Sequence, residues 1–423
     1  MTEEFLHYLW RFRLFHPELK TVAGENLTVI HPGEHNRDGG PDFFNARLQI
    51  GNTIWAGNVE IHLQASDWYK HHHEVDHAYK NVILHVVDSF DVDVFTEGSK
   101  PIPVVEVKYQ YRESLLSRYR NLQGTKLWIP CRNIMEVADV GEFVLWAPAL
   151  AVERLLERSA SVRQLLHYSK NDWEGVFFQL LATAFGLKVN AHAFELLAKS
   201  LPLKLLLRHR TNFFILEALL FGQAGLLEDQ LRETYPQQLL QTYRFYQNKY
   251  NLESLQKGIW KFLRMRPGNF PTIRISQLAA MIHGDSNLFD GELISRSLSD
   301  WMQGIQATAS SYWDTHYTFD KISVKQAKNL GEGSAYLVVI NAVTPFLFVY
   351  GREKNLPLYL EHAVTLLEEI PGEKSSLVTN WKEIGMPTEN ALYTQALKQL
   401  KSAYCEKKRC LECRIGARLL RGT

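Results

Sequence analysis

Strand-like sequence is confined to one end of this chain. Between residues 26 and 109 short alternating or β-branched runs follow one another, whereas beyond about residue 140 helical periodicity takes over and strand signals nearly vanish. A 423-residue chain divided in this way reads as an α/β domain with a mixed sheet followed by a mostly helical domain, an α+β/α organisation. The expected bounds are 1–125 for the α/β domain, 126–400 for the helical one and 401–423 for a cysteine-containing C-terminal tail.

Within the first part, Phe5, Tyr8, Leu9 and Phe12 recur at helical spacing, with Thr2 placed to cap the helix and Pro17 to end it. Asn26–His31 reads as a strand. Phe43–Ile50 and Thr53–Leu63 read as a hairpin across Gly51-Asn52. Residues 68–80 read as a short polar helix, and 81–87 (NVILHVV) as a strand apolar enough to be buried on both faces. A second hairpin is expected between 91–96 and 102–109. The later runs, such as DWEGVFFQLLATAFGL and FFILEALLFGQAGLL, are helical.

A net charge of +1 announces neither nucleic acid nor a membrane surface as a partner. The N-terminus, with Glu3 and Glu4 first and arginines inside the apolar run, is neither a secretory nor a transit signal. The longest apolar stretch, Ala335–Tyr350, is interrupted by Asn341, Thr344 and Pro345 and reads as buried structure, not a membrane span. The expectation is a cytoplasmic protein without a membrane partner. Oligomeric state is not legible.

Chemistry concentrates between His31 and His85, which hold 8 of the 16 histidines interleaved with acids. Carboxylates suit magnesium and manganese, and imidazoles suit zinc and iron. Asp42 opens one strand of the first hairpin, while Glu60 and His62, two apart on the next, share a face. If the strands pair, Asp42 and Glu60 approach one another and form an oxygen site for Mg²⁺ or Mn²⁺, with His62 beside it. Glu34, Asp67, His71, His73 and His85 are expected at the rim. Ser66 is placed to cap the following helix.

Pro41-Asp42 and Glu60-Ile61-His62 resemble the PD-(D/E)xK nuclease superfamily, with His62 in the lysine position, and the order helix, hairpin, helix, strand is also that superfamily's order. The resemblance implies a restriction-endonuclease-like core over about residues 3–110 and a metal-dependent nuclease acting on DNA or RNA. Asp42 and Glu60 would hold the metal and His62 would act on the attacking water. Histidine in place of lysine leaves an alternative: a non-catalytic nucleic-acid-binding or scaffold protein on a degenerate nuclease-like core.

Two further patterns compete. His73-Glu74-Val75-Asp76-His77 is a literal H-E-x-x-H, which on a helix would give a zinc hydrolase with Glu74 as base and His85 or Glu97 as third ligand. Glu106-Val107-Lys108 is an E-x-K, with Asp91 or Asp93 as the second carboxylate.

Cys405, Cys410 and Cys413 are spaced C-x4-C-x2-C, and Cys131 lies 274 positions before Cys405. Four thiolates can close a structural Zn²⁺ site or hold a 4Fe–4S cluster. For all four to share one metal, the C-terminus must fold back onto the N-terminal domain. Basic and aromatic residues from Trp260 to Arg274, together with Lys204, Arg208 and Arg210 and the basic tail from Lys407 to Arg421, suit nucleic acid as a partner, although each group reads first as a solvated helix face or a cap near a helix C-terminus. As a whole chain, GPDFFNARL, GNVEIHLQASDW, NVILHVV and YCEKKRCLECRIG resemble a bacterial family catalogued as domain of unknown function 2851, a resemblance that brings no activity with it.

Overall fold

Helix α1 (Glu3–Arg11) begins at Thr2, whose hydroxyl accepts the Phe5 N–H (3.4 Å), with Glu3 and Glu4 beside the exposed amides of its first turn. Its buried residues Phe5, Leu6, Tyr8, Leu9 and Trp10 lay it on a sheet, and the Trp10 indole donates to the Pro32 carbonyl (2.9 Å). The computed structural model describes residues 1–36, 38–96, 101–284 and 293–422, the side chains of Val137 and Ala138 excepted. They form two compact units, Met1–Asp139 with Ser402–Thr423, and Val140–Lys401. The first boundary therefore falls after Asp139, not at 125, and the C-terminal segment belongs to the first unit.

The sheet of the first unit comprises β1 (Leu19–Lys20), β2 (Asn26–His31), β3 (Glu34–His35), β4 (Phe43–Ile50), β5 (Thr53–Gln64), β6 (Val82–Ser89) and β7 (Val104–Glu106). Its order is β1-β2-β4-β5-β6-β7, with β3 paired to the start of β4. β1, β2, β4 and β5 are antiparallel neighbours, and β5, β6 and β7 run parallel. The expected Gly-Asn hairpin is present: Ile50 stands opposite Thr53, and Gly51 takes the positive φ (57°) that the turn requires. The second expected hairpin is not. Residues 104–106 join β6 in parallel, and Phe95–Pro101 is a single antiparallel bridge. Pro101 and Pro103 carry no N–H for an antiparallel ladder, while the Pro103 carbonyl accepts the His85 N–H (2.9 Å).

β5 changes character along its length. Residues 53–56 are exposed in the hairpin, while 57–62 are buried, covered by α1 and flanked by β4 and β6. Gly57 permits the close approach to β6, since a Cβ there would lie 2.5 Å from Ile83 Cγ2 and 2.7 Å from the Asn81 carbonyl oxygen.

The crossover from β5 to β6 differs from the expected helix over 68–80. Helix α2 (Asp67–Lys70) is one turn long. His72 takes the left-handed conformation (φ 61°), its N–H bonds to the Tyr69 carbonyl, and the His73 N–H bonds to the Trp68 carbonyl (both 3.1 Å). That pair of hydrogen bonds is a Schellman closure, and it ends the helix and turns the chain back. A 3₁₀ turn at His77–Tyr79, capped by Asp76, leads into β6.

Helix α3 (Glu113–Gly124) stacks Tyr119 on Phe5 (centroids 4.9 Å apart). The C-terminal helix Arg414–Arg421 is tied into the same unit: the Tyr8 hydroxyl donates to the Ala417 carbonyl (3.1 Å), Arg118 to the Leu420 carbonyl (3.1 Å), and Arg418 pairs with buried Asp139 (2.7 Å).

The second unit is helical apart from two paired strands, His316–Thr318 and Lys321–Ile322. Phe177, Phe346 and Trp301 meet in its core at centroid distances of 4.5 and 5.9 Å from Phe177. Glu332–Glu353 is the one helical run among the described residues long and apolar enough to cross a membrane. It is broken by a π segment at Val339–Val343, and 67 % of its apolar window is buried inside the protein, which marks a core helix.

Gly57→Ala is expected to cost about 1–3 kcal/mol through overpacking against β6, read as a lower midpoint in urea unfolding, whereas exposed Gly24 has no neighbour within 4 Å and its substitution strains only the turn's positive φ.

Candidate functional site

The β4–β5 register sets Phe43 opposite Val59, and therefore Asp42 beside Glu60. Their contact is reciprocal: the Ile61 N–H donates to Asp42 Oδ2 (2.9 Å), and the Asp42 N–H donates to Glu60 Oε2 (3.1 Å). A bulge follows at once. Asn45 takes φ 57°, a conformation asparagine tolerates, and its N–H donates to Asn58 Oδ1 (3.3 Å). α1 adds His7, whose Nε2 lies 3.1 Å from Asp42 Oδ2.

The pleat of β5 puts His62 on the face that carries Glu60, with His62 Nε2 3.5 Å from Glu60 Oε1. The turn made by the closure at His72 delivers two more imidazoles: His73 Nε2 lies 3.4 Å from Glu60 Oε1, and His71 Nδ1 lies 3.1 Å from His62 Nε2. One nitrogen from each of His62, His71 and His73 falls within a group whose members are all within 4.8 Å of one another. Behind them, His85 Nε2 lies 2.8 Å from His62 Nδ1. With His62 Nδ1–H donating to His85, the His62 Nε2 lone pair faces the group. Tyr79 stacks on His73 (3.8 Å), and Trp68 packs against His73 and His85. Glu60, His62 and His85 are at most 4 % exposed, and the site opens at His71.

Burial, reinforced by the neighbouring imidazoles, pushes His62 down to about 2 and His85 down to about 3, so both are neutral, as ligands must be. Burial and then the Asp42 carboxylate push Glu60 well above the ordinary carboxylate range. Burial alone would lower His7, but Asp42 and Glu3 lift it. Two adjoining carboxyl groups and three imidazoles thus stand together, the buried ones held towards their neutral forms. His62 Nε2, His71 Nδ1, His73 Nε2 and Glu60 Oε1 are the atoms that could hold a cation. An imidazole-rich set suits Mn²⁺, Fe²⁺ or Zn²⁺ better than Mg²⁺, which prefers oxygen.

The structure thus brings Asp42, Glu60 and His62 together as the strand pattern implies. It also draws His71 and His73 in from the expected rim to touch Glu60 and His62, with His85 behind them. Asp67 closes the strand–helix junction, accepting the Gln64 N–H (3.0 Å) and pairing with Lys70 (2.6 Å). Ser66 makes no side-chain cap; its N–H donates to Asp91 (2.9 Å). Glu34 is exposed on β3. His7 was not marked by the sequence, because its role depends on where α1 lies over the start of β4.

The zincin-like arrangement needs His73 and His77 on one helical face, and that helix is not formed: His73 lies in a turn and exposed His77 opens a 3₁₀ segment. Glu97 lies outside the described residues. Glu106 and Lys108 point outward at the end of β7, as ordinary surface charges do. Of the basic-aromatic run, Trp260 and Arg274 belong to the core. The Trp260 indole donates to the Ala224 carbonyl (2.7 Å), and Arg274 is spent on Asn269, Ser334 and Gln277. Arg264 and Arg266 are exposed.

Cys131, Cys410 and Cys413 are buried and Cys405 is half-buried, all in the first unit and none of them in a disulfide. Burial lifts Cys410 to about 11 and Cys413 to about 12, and it lifts Cys131 further, with Cys413 and Cys410 near enough to add to it. Gly416 lies against the Cys410 backbone too closely for any Cβ, and Cys413 Sγ accepts the Gly416 N–H (3.5 Å).

A family model described as protein of unknown function (DUF2851) matches residues 3–376, and the chain belongs to that family. No curated protein and no solved structure matches it.

In a calorimetric titration with Mn²⁺ or Zn²⁺, His71→Ala and His73→Ala are expected to abolish tight binding at this site. His85→Ala should weaken it about 10–100-fold, the usual cost of losing a partner that orients a ligand. His77→Ala should change nothing, and His72→Gly should keep full affinity, because glycine favours the left-handed closure.

Proposed function

We propose that this chain is a metal-dependent phosphodiesterase, a nuclease acting on DNA or RNA, with its centre at Glu60, His62, His71 and His73. The observation that carries this reading is the register that sets Asp42 against Glu60 on adjacent strands, with imidazole nitrogens of His62 and His73 beside the Glu60 carboxylate and that of His71 beside His62. The element order supports it. α1, three antiparallel strands (β2, β4 and β5), α2 and the parallel β6 follow the order of the restriction-endonuclease-like core, and the two acids occupy the positions of its PD-(D/E)xK pattern.

The residues then divide the work. Glu60 and the three imidazoles hold the cation, Mn²⁺ in preference to Mg²⁺, and the bound ion would acidify a water and offset phosphate charge. Asp42 fixes the backbone of Glu60 and Ile61 from across the ladder. His62 stands where the superfamily has lysine, but its Nδ1 is held by His85 and its Nε2 is turned to His71, Glu60 and the cation position, so it serves as a ligand. His7, held towards its charged form by Asp42, is the proton-bearing group at the edge of the site. The cysteines serve a separate, structural role in this reading: Cys131, Cys405, Cys410 and Cys413 hold Zn²⁺ or a 4Fe–4S cluster that fastens the C-terminal segment to the sheet domain.

The test is cleavage of labelled DNA and RNA by the full chain with Mn²⁺ and with chelator, beside Asp42→Ala and Glu60→Ala. Each substitution is expected to reduce cleavage roughly a hundredfold or more, as loss of several kcal/mol of charge stabilisation would. Cleavage that survives both overturns the assignment. Tight, salt-dependent binding without turnover would identify the non-catalytic scaffold instead. For the cysteines, anaerobically purified protein is expected to carry zinc or the visible absorption of an iron–sulfur cluster, lost together with thermal stability in Cys410→Ser, whose buried thiol has no role in the histidine site.

A further inference from the structure

A cavity of about 330 Å³ opens beside the metal-ligand cluster, between one face of α1 and residues 407–412 of the C-terminal segment, both parts of the first unit. Its walls include His7, Arg11, Phe12, Lys407, Lys408 and Arg409. We infer that this cavity seats one nucleotide of a single-stranded nucleic acid, its phosphate held by Arg11 and Lys407 and its base stacked on Phe12. The inference rests on the nuclease reading and names the form of its substrate.

Charge comes first. Four cations line the cavity against two carboxylates, Glu4 and Glu412. Arg409 is committed to Glu412 (Nε to Oε1, 2.7 Å), and the Lys408 amine donates to the Gln123 carbonyl. Arg11 and Lys407, one on each wall, are exposed and point to an anion between them. Phe12 is 38 % exposed, with the guanidinium groups of Arg11 and Arg421 at 5.4 and 5.6 Å from its ring centroid. Tyr8 packs against the same ring (5.0 Å), so a base stacks on Phe12 by taking the place of a guanidinium, which is then released to the phosphate.

Position comes second. His7 lines the cavity and also contacts Asp42 at 3.1 Å, so one imidazole separates the cavity from the carboxylates of the cation site. A strand seated here presents its next phosphate towards Glu60 and the histidines. Size comes third. A cavity near the lower end of the range for small-molecule sites admits one nucleotide, and a base in a duplex reaches such a space only by leaving the stack.

The probes are fluorescein-labelled oligonucleotides, deoxy and ribo, single-stranded and as the matching duplex. Each is titrated with the full chain in chelator and followed by anisotropy at several salt concentrations. Arg11→Ala combined with Lys407→Ala is expected to weaken single-strand binding at least about tenfold and to lower the salt slope by roughly 0.7 per cation removed. Phe12→Ala is expected to weaken binding with the slope unchanged. Arg264→Ala with Arg266→Ala, on the other unit, should bind as the unaltered chain does. All these side chains are exposed, and circular dichroism checks the fold of each variant. Unaltered binding by the Arg11/Lys407 variant, duplex binding as tight as single-strand binding, absence of binding by the wild-type chain, or loss confined to the Arg264/Arg266 variant each overturns the inference. Because binding is read without metal, absence of cleavage would remove the nuclease reading while leaving a bound single strand in place.

Discussion

The first unit depends on keeping two carboxyl groups side by side, Glu60 buried and Asp42 half-buried. Asp42 and Glu60 are placed there by antiparallel register; Glu60 accepts the Asp42 N–H and Asp42 accepts the Ile61 N–H, so neither can turn away without breaking a hydrogen bond to a buried or half-buried N–H. Unpaired carboxylates at such depth are costly, and a fold that merely needed stability would place apolar residues there. What surrounds them is instead a set of imidazoles, of which His62, His73 and His85 are held towards their neutral forms by burial and His7 is lifted by Asp42. The parallel half of the sheet follows from the same requirement, because a crossover after β5 returns the chain over that end of the strand and carries His71 and His73 to it.

The strand residues of this site were legible and the crossover residues were not, for a physical reason. A strand repeats every two residues, so Glu60 and His62 declare a shared face, and a Gly-Asn turn fixes which residue of β4 meets them. The geometry of His71 and His73 is set by His72 entering the left-handed region, which a run of three histidines does not announce. A helical reading of the same letters offers the competing H-E-x-x-H pattern, whose face never forms. The alternation around Pro101 and Pro103 suggests a hairpin, but neither proline has an N–H for that ladder, and a parallel strand is built there. In the helical unit the reverse error arose. Trp260 and Arg274 look like a nucleic-acid surface in sequence, but an indole N–H and a guanidinium can equally satisfy buried carbonyls and amides, and here they do. Cys131 was the one letter in the sequence that hinted at the return of the C-terminus.

That return makes the first unit discontinuous. Its sheet, α1 and α3 come from one end of the chain, while Cys405, Cys410, Cys413 and the helix that bonds to Tyr8 and Arg118 come from the other, with the whole helical unit between them in sequence. During synthesis the sheet leaves the ribosome long before the segment that completes it. For that interval the apolar surface later covered by Ile415 and Leu420 stands open, and the helical unit has time to fold first. The basic wall at Lys407 and the three thiols from Cys405 onward are made only after the whole helical unit. A truncated or stalled chain therefore carries both carboxylates and every histidine of the cluster, yet lacks the second wall of the cavity beside them.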